Sequence, residues 1–123
     1  MTQYPPFFAT CSGNAGLTAL IGTNPVRCYL FGEADPPPPE KPYMVWQVIG
    51  GAPENHLSGA PVIGLFTTQV DIYGQTAASA RAVSDAFQTA IASAAYVTSY
   101  GGEYREADTG LYRLTLTVDW FTD

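Results

Sequence analysis

The stretch Gly64-Leu65-Phe66-Thr67-Thr68-Gln69-Val70-Asp71-Ile72-Tyr73, with the segment Thr76 to Ala94 close behind it, decides how this chain folds. Phe66, Thr68, Val70 and Ile72 fall on one side of an extended strand, and Thr67, Gln69, Asp71 and Tyr73 on the other. A period of two marks a strand that is buried on one face and wet on the other. In the following segment the period changes. Ala80, Val83, Phe87, Ala90, Ile91 and Ala94 recur every three or four residues, which is one apolar stripe of a helix. Thr76 is placed to cap that helix, and its many Ala side chains let it lie close to a sheet.

Working outward, the same alternation returns in Leu111 to Phe121. There Tyr112, Leu114, Leu116, Val118 and Trp120 oppose Arg113, Thr115, Thr117 and Asp119. Ala95 to Tyr104 reads as its hairpin partner, with the turn at Ala107-Asp108-Thr109-Gly110. Upstream, Tyr43 to Ile49 is dense in aromatic and β-branched residues, and Val26 to Phe31 is a shorter strand. Two short helices, Phe7 to Cys11 and Ala15 to Ile21, are separated by Gly13-Asn14, and Thr23-Asn24-Pro25 turns the chain into the first strand. Pro36-Pro37-Pro38-Pro39 reads as a stiff spacer between strands. Gly50 to Ile63 reads as a loop, and loops of that length usually carry function.

The expected architecture is α+β. A largely antiparallel sheet of four to five strands carries the long helix over 76–94 and the short N-terminal helices on one face. No repeat or composition shift divides the chain, so 1–123 reads as a single domain.

Charge is the unusual quantity. Of 123 residues only 13% are charged, and the formal net charge is −6, against roughly a quarter charged in an average soluble domain. Arg27, Lys41, Arg81, Arg105 and Arg113 are the only basic side chains and are spread singly. Binding nucleic acid through its phosphates needs such residues in clusters, so specific nucleic-acid binding is not expected. No apolar run approaches the ~18–20 residues of a membrane helix, and the N-terminus lacks the basic start of a signal peptide. Synthesis in a cytoplasm follows, with Cys11 and Cys28 read as free buried thiols.

Chemistry is sparse. His56, the single histidine, sits in a Gly- and Pro-flanked loop with no second His or Cys and no nucleophile beside it, which reads as a surface residue. Asp71 and Asp119 lie on the polar faces of two strands, and Glu103, Glu106 and Asp108 flank a turn as exposed carboxylates. Gly13-Asn14-Ala15-Gly16 lacks the strand before it and the Lys after it that a phosphate loop needs. No catalytic residue, cofactor site or metal site is expected. The residues left to carry function are therefore those on surfaces. Of eight Tyr, Tyr73, Tyr100 and Tyr104 fall in strands or at their ends, as candidate assembly contacts. Glu54, Asn55, His56, Leu57, Val62 and Ile63 share the long loop and are candidates for reaching another subunit.

Taken as a whole, the chain resembles the tail-completion or tail-terminator proteins of long-tailed bacteriophages and phage-like gene transfer agents. The residues that carry the resemblance begin with Pro6-Phe7-Phe8-Ala9, Thr23-Asn24-Pro25-Val26-Arg27 and Pro42-Tyr43-Met44-Val45-Trp46-Gln47, leading to Gly51-Ala52-Pro53-Glu54-Asn55. Gln69-Val70-Asp71-Ile72-Tyr73, Ala78-Ser79-Ala80-Arg81-Ala82-Val83, Asp108-Thr109-Gly110-Leu111-Tyr112-Arg113 and Asp119-Trp120 complete the order. The resemblance implies a structural virion protein and not an enzyme. It implies a homo-oligomeric ring, commonly a hexamer, on the head-proximal end of the tail tube. Its partners would be the tail tube protein and the head-tail connector or stopper. DNA would be cargo passing through the lumen, and no membrane is involved. Another neck component is the alternative, and a small enzyme the remote one. A low-charge surface suits packing in a closed ring, with the few charges on the rim and lumen and neutral residues at the contacts. An acidic chain suits a channel to which DNA does not adhere.

Overall fold

The computed structural model describes residues 4–23, 25–33, 40–54 and 63–122. Among the described residues, three helices, α1 (Phe7–Ser12), α2 (Ala15–Ile21) and α3 (Ala77–Ile91), accompany five strands. The strands are β1 (Cys28–Leu30), β2 (Tyr43–Glu54), β3 (Ile63–Gly74), β4 (Ala95–Arg105) and β5 (Tyr112–Thr122), in one sheet of order β1-β2-β3-β5-β4. β1 is parallel to β2, and every other pairing is antiparallel. The α+β class and the largely antiparallel sheet are as the sequence patterns require. α3 carries the chain from β3 to β4, and β5 then returns between the two, antiparallel to both.

The helices lie on the face to which β3 and β5 turn their apolar residues. Val70, Ile72, Leu114, Leu116, Val118 and Trp120 are buried there against Ala80, Val83, Phe87 and Ile91 of α3. Burying a large apolar side chain is worth ~1.5–3 kcal/mol each, so this layer supplies most of the drive to fold. Phe7 locks α1 into it. Its ring stacks on Trp46 at 4.5 Å and meets Phe87 at 5.3 Å and Trp120 at 5.5 Å. The one polar atom carried inside by Trp120 is satisfied: Nε1 donates to Thr68 Oγ1 at 3.1 Å, and that hydroxyl donates to the Val118 carbonyl at 3.2 Å.

Caps fix the helix starts. Thr76 Oγ1 accepts from Ser79 N–H at 3.0 Å, and Asn14 Oδ1 from Leu17 N–H at 2.9 Å. α3 is shorter than 76–94, because Ala92 to Ala94 form turns that feed β4. β1 is shorter than Val26–Phe31, since local bonds from Cys28 N–H to the Val26 carbonyl and Glu33 N–H to the Leu30 carbonyl close both of its ends. Gly74 ends β3 where a Cβ would press on the backbone of Ala80, so the strand-to-helix turn requires glycine.

The largest departure concerns Gly50–Ile63. Its beginning is not a loop: β2 continues to Glu54 and pairs with β3 as far as Glu54↔Ile63. A bulge at Ile49 and a positive φ of 134° at Gly51 carry the ladder onward. A Cβ at Gly51 would collide with the Leu65 carbonyl, so glycine lets the two backbones close up. Gly50 and Gly51 looked like a strand end because glycines usually break a ladder. Here they bend it instead. The proline run 36–39 and residues 55–62 lie outside the described residues.

Candidate assembly surfaces

Three surfaces are left after the core is closed: the sheet face away from the helices, the extended β2–β3 arm, and the edge along β4.

The open face is built in rows across the strands. One row is Tyr43–Tyr73–Arg113–Tyr104, on β2, β3, β5 and β4. The Tyr43 and Tyr73 rings stack at 4.8 Å, and Tyr29 of β1 meets Tyr43 edge-on at 6.3 Å. Arg113 lies 5.6 Å from the ring centres of both Tyr73 and Tyr104 and donates to the Tyr104 hydroxyl at 2.6 Å. It also pairs with Asp71 at 3.2 Å and Glu106 at 3.6 Å. Asp71 accepts in addition from Thr115 at 2.8 Å and Gln69 at 3.3 Å. Burial opposes the charge on Arg113, but Asp71 and the tyrosines more than offset it and raise its pKa. Burial pushes the Tyr73 hydroxyl up to about 12, and that of Tyr43 upward too. This cluster is a fastener between strands, with its charged groups paired to one another.

Asp71 and Asp119 do not converge. Asp71 faces Thr115 and Asp119 faces Thr67, whose hydroxyl it accepts at 2.7 Å. Four positions along a strand separate them by about 13 Å. Glu103 and Glu106, expected to be merely exposed, both have partners. Arg81 grips Glu103 with two bonds of 2.7 and 2.8 Å, and Glu106 serves Arg113 and the Thr109 hydroxyl. The Arg81 pair raises the arginine and lowers the glutamate, through the hydrogen bonds first. Cys11 and Cys28 are free and buried. Cys11, hydrogen-bonded to it, and then burial hold the Cys28 thiol far above its ordinary range. Among the described residues no three His, Cys, Asp or Glu side chains gather as a metal site, and no helix is long and apolar enough to cross a membrane.

The arm is the end of the sheet where β2, β3 and β5 outrun β4. β4 begins at Ala95↔Trp120, and the rows Leu65↔Phe121, Gly64↔Thr122 and Glu54↔Ile63 lie beyond it. Of the candidate contact residues, Glu54 ends β2 and Ile63 opens β3, while Asn55, His56, Leu57 and Val62 lie outside the described residues. At the base of the arm Ile49, Tyr96 and Phe121 are half exposed, with Tyr96 and Phe121 in contact at 5.7 Å. Sequence reasoning missed these three. The signal was present, since Phe121 falls on the polar phase of β5, but the bulge that turns Ile49 outward leaves no such mark.

Tyr73 packs within the sheet. Tyr100 and Tyr104 stand exposed on β4, so the candidate tyrosines do not form one patch.

The family model of tail completion protein gp17 matches residues 5–123. The chain belongs to that family. With membership comes its place: it is a structural protein of a phage-type virion tail. The fold agrees. A chain of the solved virion of a native gene transfer agent particle superposes with a TM-score of 0.69 at 16% identity, over 94% of this chain and 90% of that one. No curated protein matches the sequence. The tail completion family is therefore reached by sequence over nearly the whole chain, and its architecture by structure.

Proposed function

We infer that this tail completion protein acts as a single folded unit that assembles into a ring, a hexamer by the family resemblance, at the head-proximal end of the tail tube. The ring ends tube growth and offers the head connector a docking surface. The observation that carries this reading is the family match over residues 5–123, which covers both the core and the arm. The arm, with the pair Glu54↔Ile63 as its last described rung and apolar residues at its base, is the contact with the tube or with the neighbouring subunit. Neutral Thr, Gln and Tyr side chains on the open face suit packing between subunits, because hydrogen bonds there need no buried charge. The net charge of −6 suits a lumen through which DNA slides. No catalytic step is part of the reading, as Asp71 and Asp119 are far apart and already hold threonines.

The test shortens the arm. Replacing residues 55–62 with Asn-Gly closes the hairpin directly behind Glu54↔Ile63, which a two-residue turn permits. The chain should fold with unchanged circular dichroism and fail to form rings or complete tails. Normal tails from this variant would remove the arm from the mechanism. Recovery of the protein on filled heads, and not on tails from a head-defective mutant, would make it another neck component.

A further inference from the structure

We propose that Cys11 and Cys28 form a disulfide site: free thiols in the newly made protein, joined to each other once the particle meets an oxidising medium. They are the two cysteines of the chain, distant in sequence, and the fold sets them together. Cys11 lies on the last turn of α1, Cys28 opens β1, and α1 packs against β1. Both thiols are free and buried in the same apolar core, and they are hydrogen-bonded to each other. A buried cysteine usually packs as a small apolar group. What is particular here is that each thiol has the other as its polar neighbour. A disulfide needs its sulfurs ~2 Å apart with the Cβ atoms facing, and the thiol–thiol bond already supplies the facing. With two cysteines in the chain, no rival pairing exists within it.

While α1 is closed, the Cys11 neighbour and burial keep Cys28 as the neutral thiol, the unreactive form, and oxidation is slow. Opening α1 removes that protection. This helix has six residues, its N-cap Pro6 makes no side-chain cap bond, and Gly13 follows it. Such a helix opens at lower cost than the layer of α3 on the sheet. The chemistry is exchange with a small-molecule disulfide. One cysteine loses its proton, and its thiolate attacks a sulfur of the small disulfide, breaking that S–S bond and expelling one small thiolate. Reclosing α1 presents the second cysteine, whose thiolate attacks the protein sulfur of the mixed disulfide and expels the other. The cysteine pair gives up two protons and two electrons, and the small disulfide takes up both and leaves as two thiols. The product closes a loop from residue 11 to residue 28 that holds all of α2. It ties the N-terminal helices to β1, a three-residue strand joined to the sheet through β2 alone. A protein of a virion tail ends in a setting where disulfides persist, unlike the reducing interior of a cell.

The test incubates the folded, purified chain with oxidised or reduced glutathione and then blocks the remaining thiols with iodoacetamide. The oxidised sample should lose both titratable thiols, and its intact mass should fall by two hydrogens with no glutathione attached. Trypsin cuts after Arg27, between the two cysteines, so a non-reduced digest should join the Cys11 peptide to the Cys28 peptide. The thermal midpoint should rise by ~5 °C or more and return to its starting value with reductant. Cys11→Ala should abolish both the link and the gain. Released particles, blocked with iodoacetamide before denaturation, supply a second measurement that needs no core variant. They should yield the same joined peptide, and protein blocked inside the producing cell should yield free thiols. Both thiols surviving in the folded chain, under conditions that cross-link the urea-unfolded one, would overturn the proposal. So would glutathione adducts with no Cys11–Cys28 link, or alkylated and unlinked cysteines in released particles.

Discussion

The two faces of one sheet obey opposite rules. On the helix side, Val70, Ile72, Leu116, Val118 and Trp120 are buried and nearly free of polar groups. On the other side, one residue along each strand, Asp71, Arg113, Thr115 and Tyr104 are joined by hydrogen bonds and an ion pair, the Tyr73 ring lies against Arg113, and Thr67 bonds Asp119 separately. The first face holds the molecule together. The second holds its strands in register and leaves a neutral surface for neighbours. Low overall charge thus reflects a face that meets its surroundings with hydroxyls, amides and phenols.

That division has consequences that differ in size. Trp120→Ala removes the largest fully buried side chain and orphans part of the Thr68 bond network, and should cost about 3–5 kcal/mol in urea unfolding. Arg113→Ala cuts the open-face cluster but leaves Asp71 its Thr115 and Gln69 donors, so a loss of about 1–3 kcal/mol is expected. A loss at Arg113 equal to that at Trp120 would break the contrast between the faces. Thr67→Val deletes a single bond to Asp119 and should cost about 0.5–1.5 kcal/mol. A further effect is confined to alkali. The Tyr73 hydroxyl ionises at about 12 when folded, against 10 ordinarily, because burial disfavours its anion. Its contribution is complete below pH 10 and is lost as pH rises toward 12. Tyr73→Phe should flatten the fall in stability across that window, followed by denaturant midpoints at each pH.

Much of this was legible in the sequence, for a physical reason. Period-two alternation in Phe66 to Ile72 and Leu114 to Trp120 is dictated by burial on one face, and the stripe of Ala80, Val83, Phe87 and Ile91 by burial of α3, so composition and spacing suffice. The Arg113–Asp71 pair was not legible. Each residue reads as polar and outward, but their meeting depends on β5 inserting between β3 and β4, a long-range choice that no local pattern records. The continuation of β2 through Gly50 and Gly51 was hidden for the opposite reason. Glycine is locally a strand breaker, and only the backbone of Leu65 pressing on Gly51 shows why it is needed there. Of the candidate contacts, the tyrosines were correctly placed in strands. What could not be read was which of them the sheet would use internally, as with Tyr73, and which it would leave on the edge.

The most direct test of the assembly role is electron microscopy of the purified protein alone and added to tails from a mutant lacking it. The account predicts closed rings in solution, and a ring capping the head-proximal end of tails whose tubes then stop at uniform length. Absence of rings, with tubes of unregulated length after the protein is added, would contradict it.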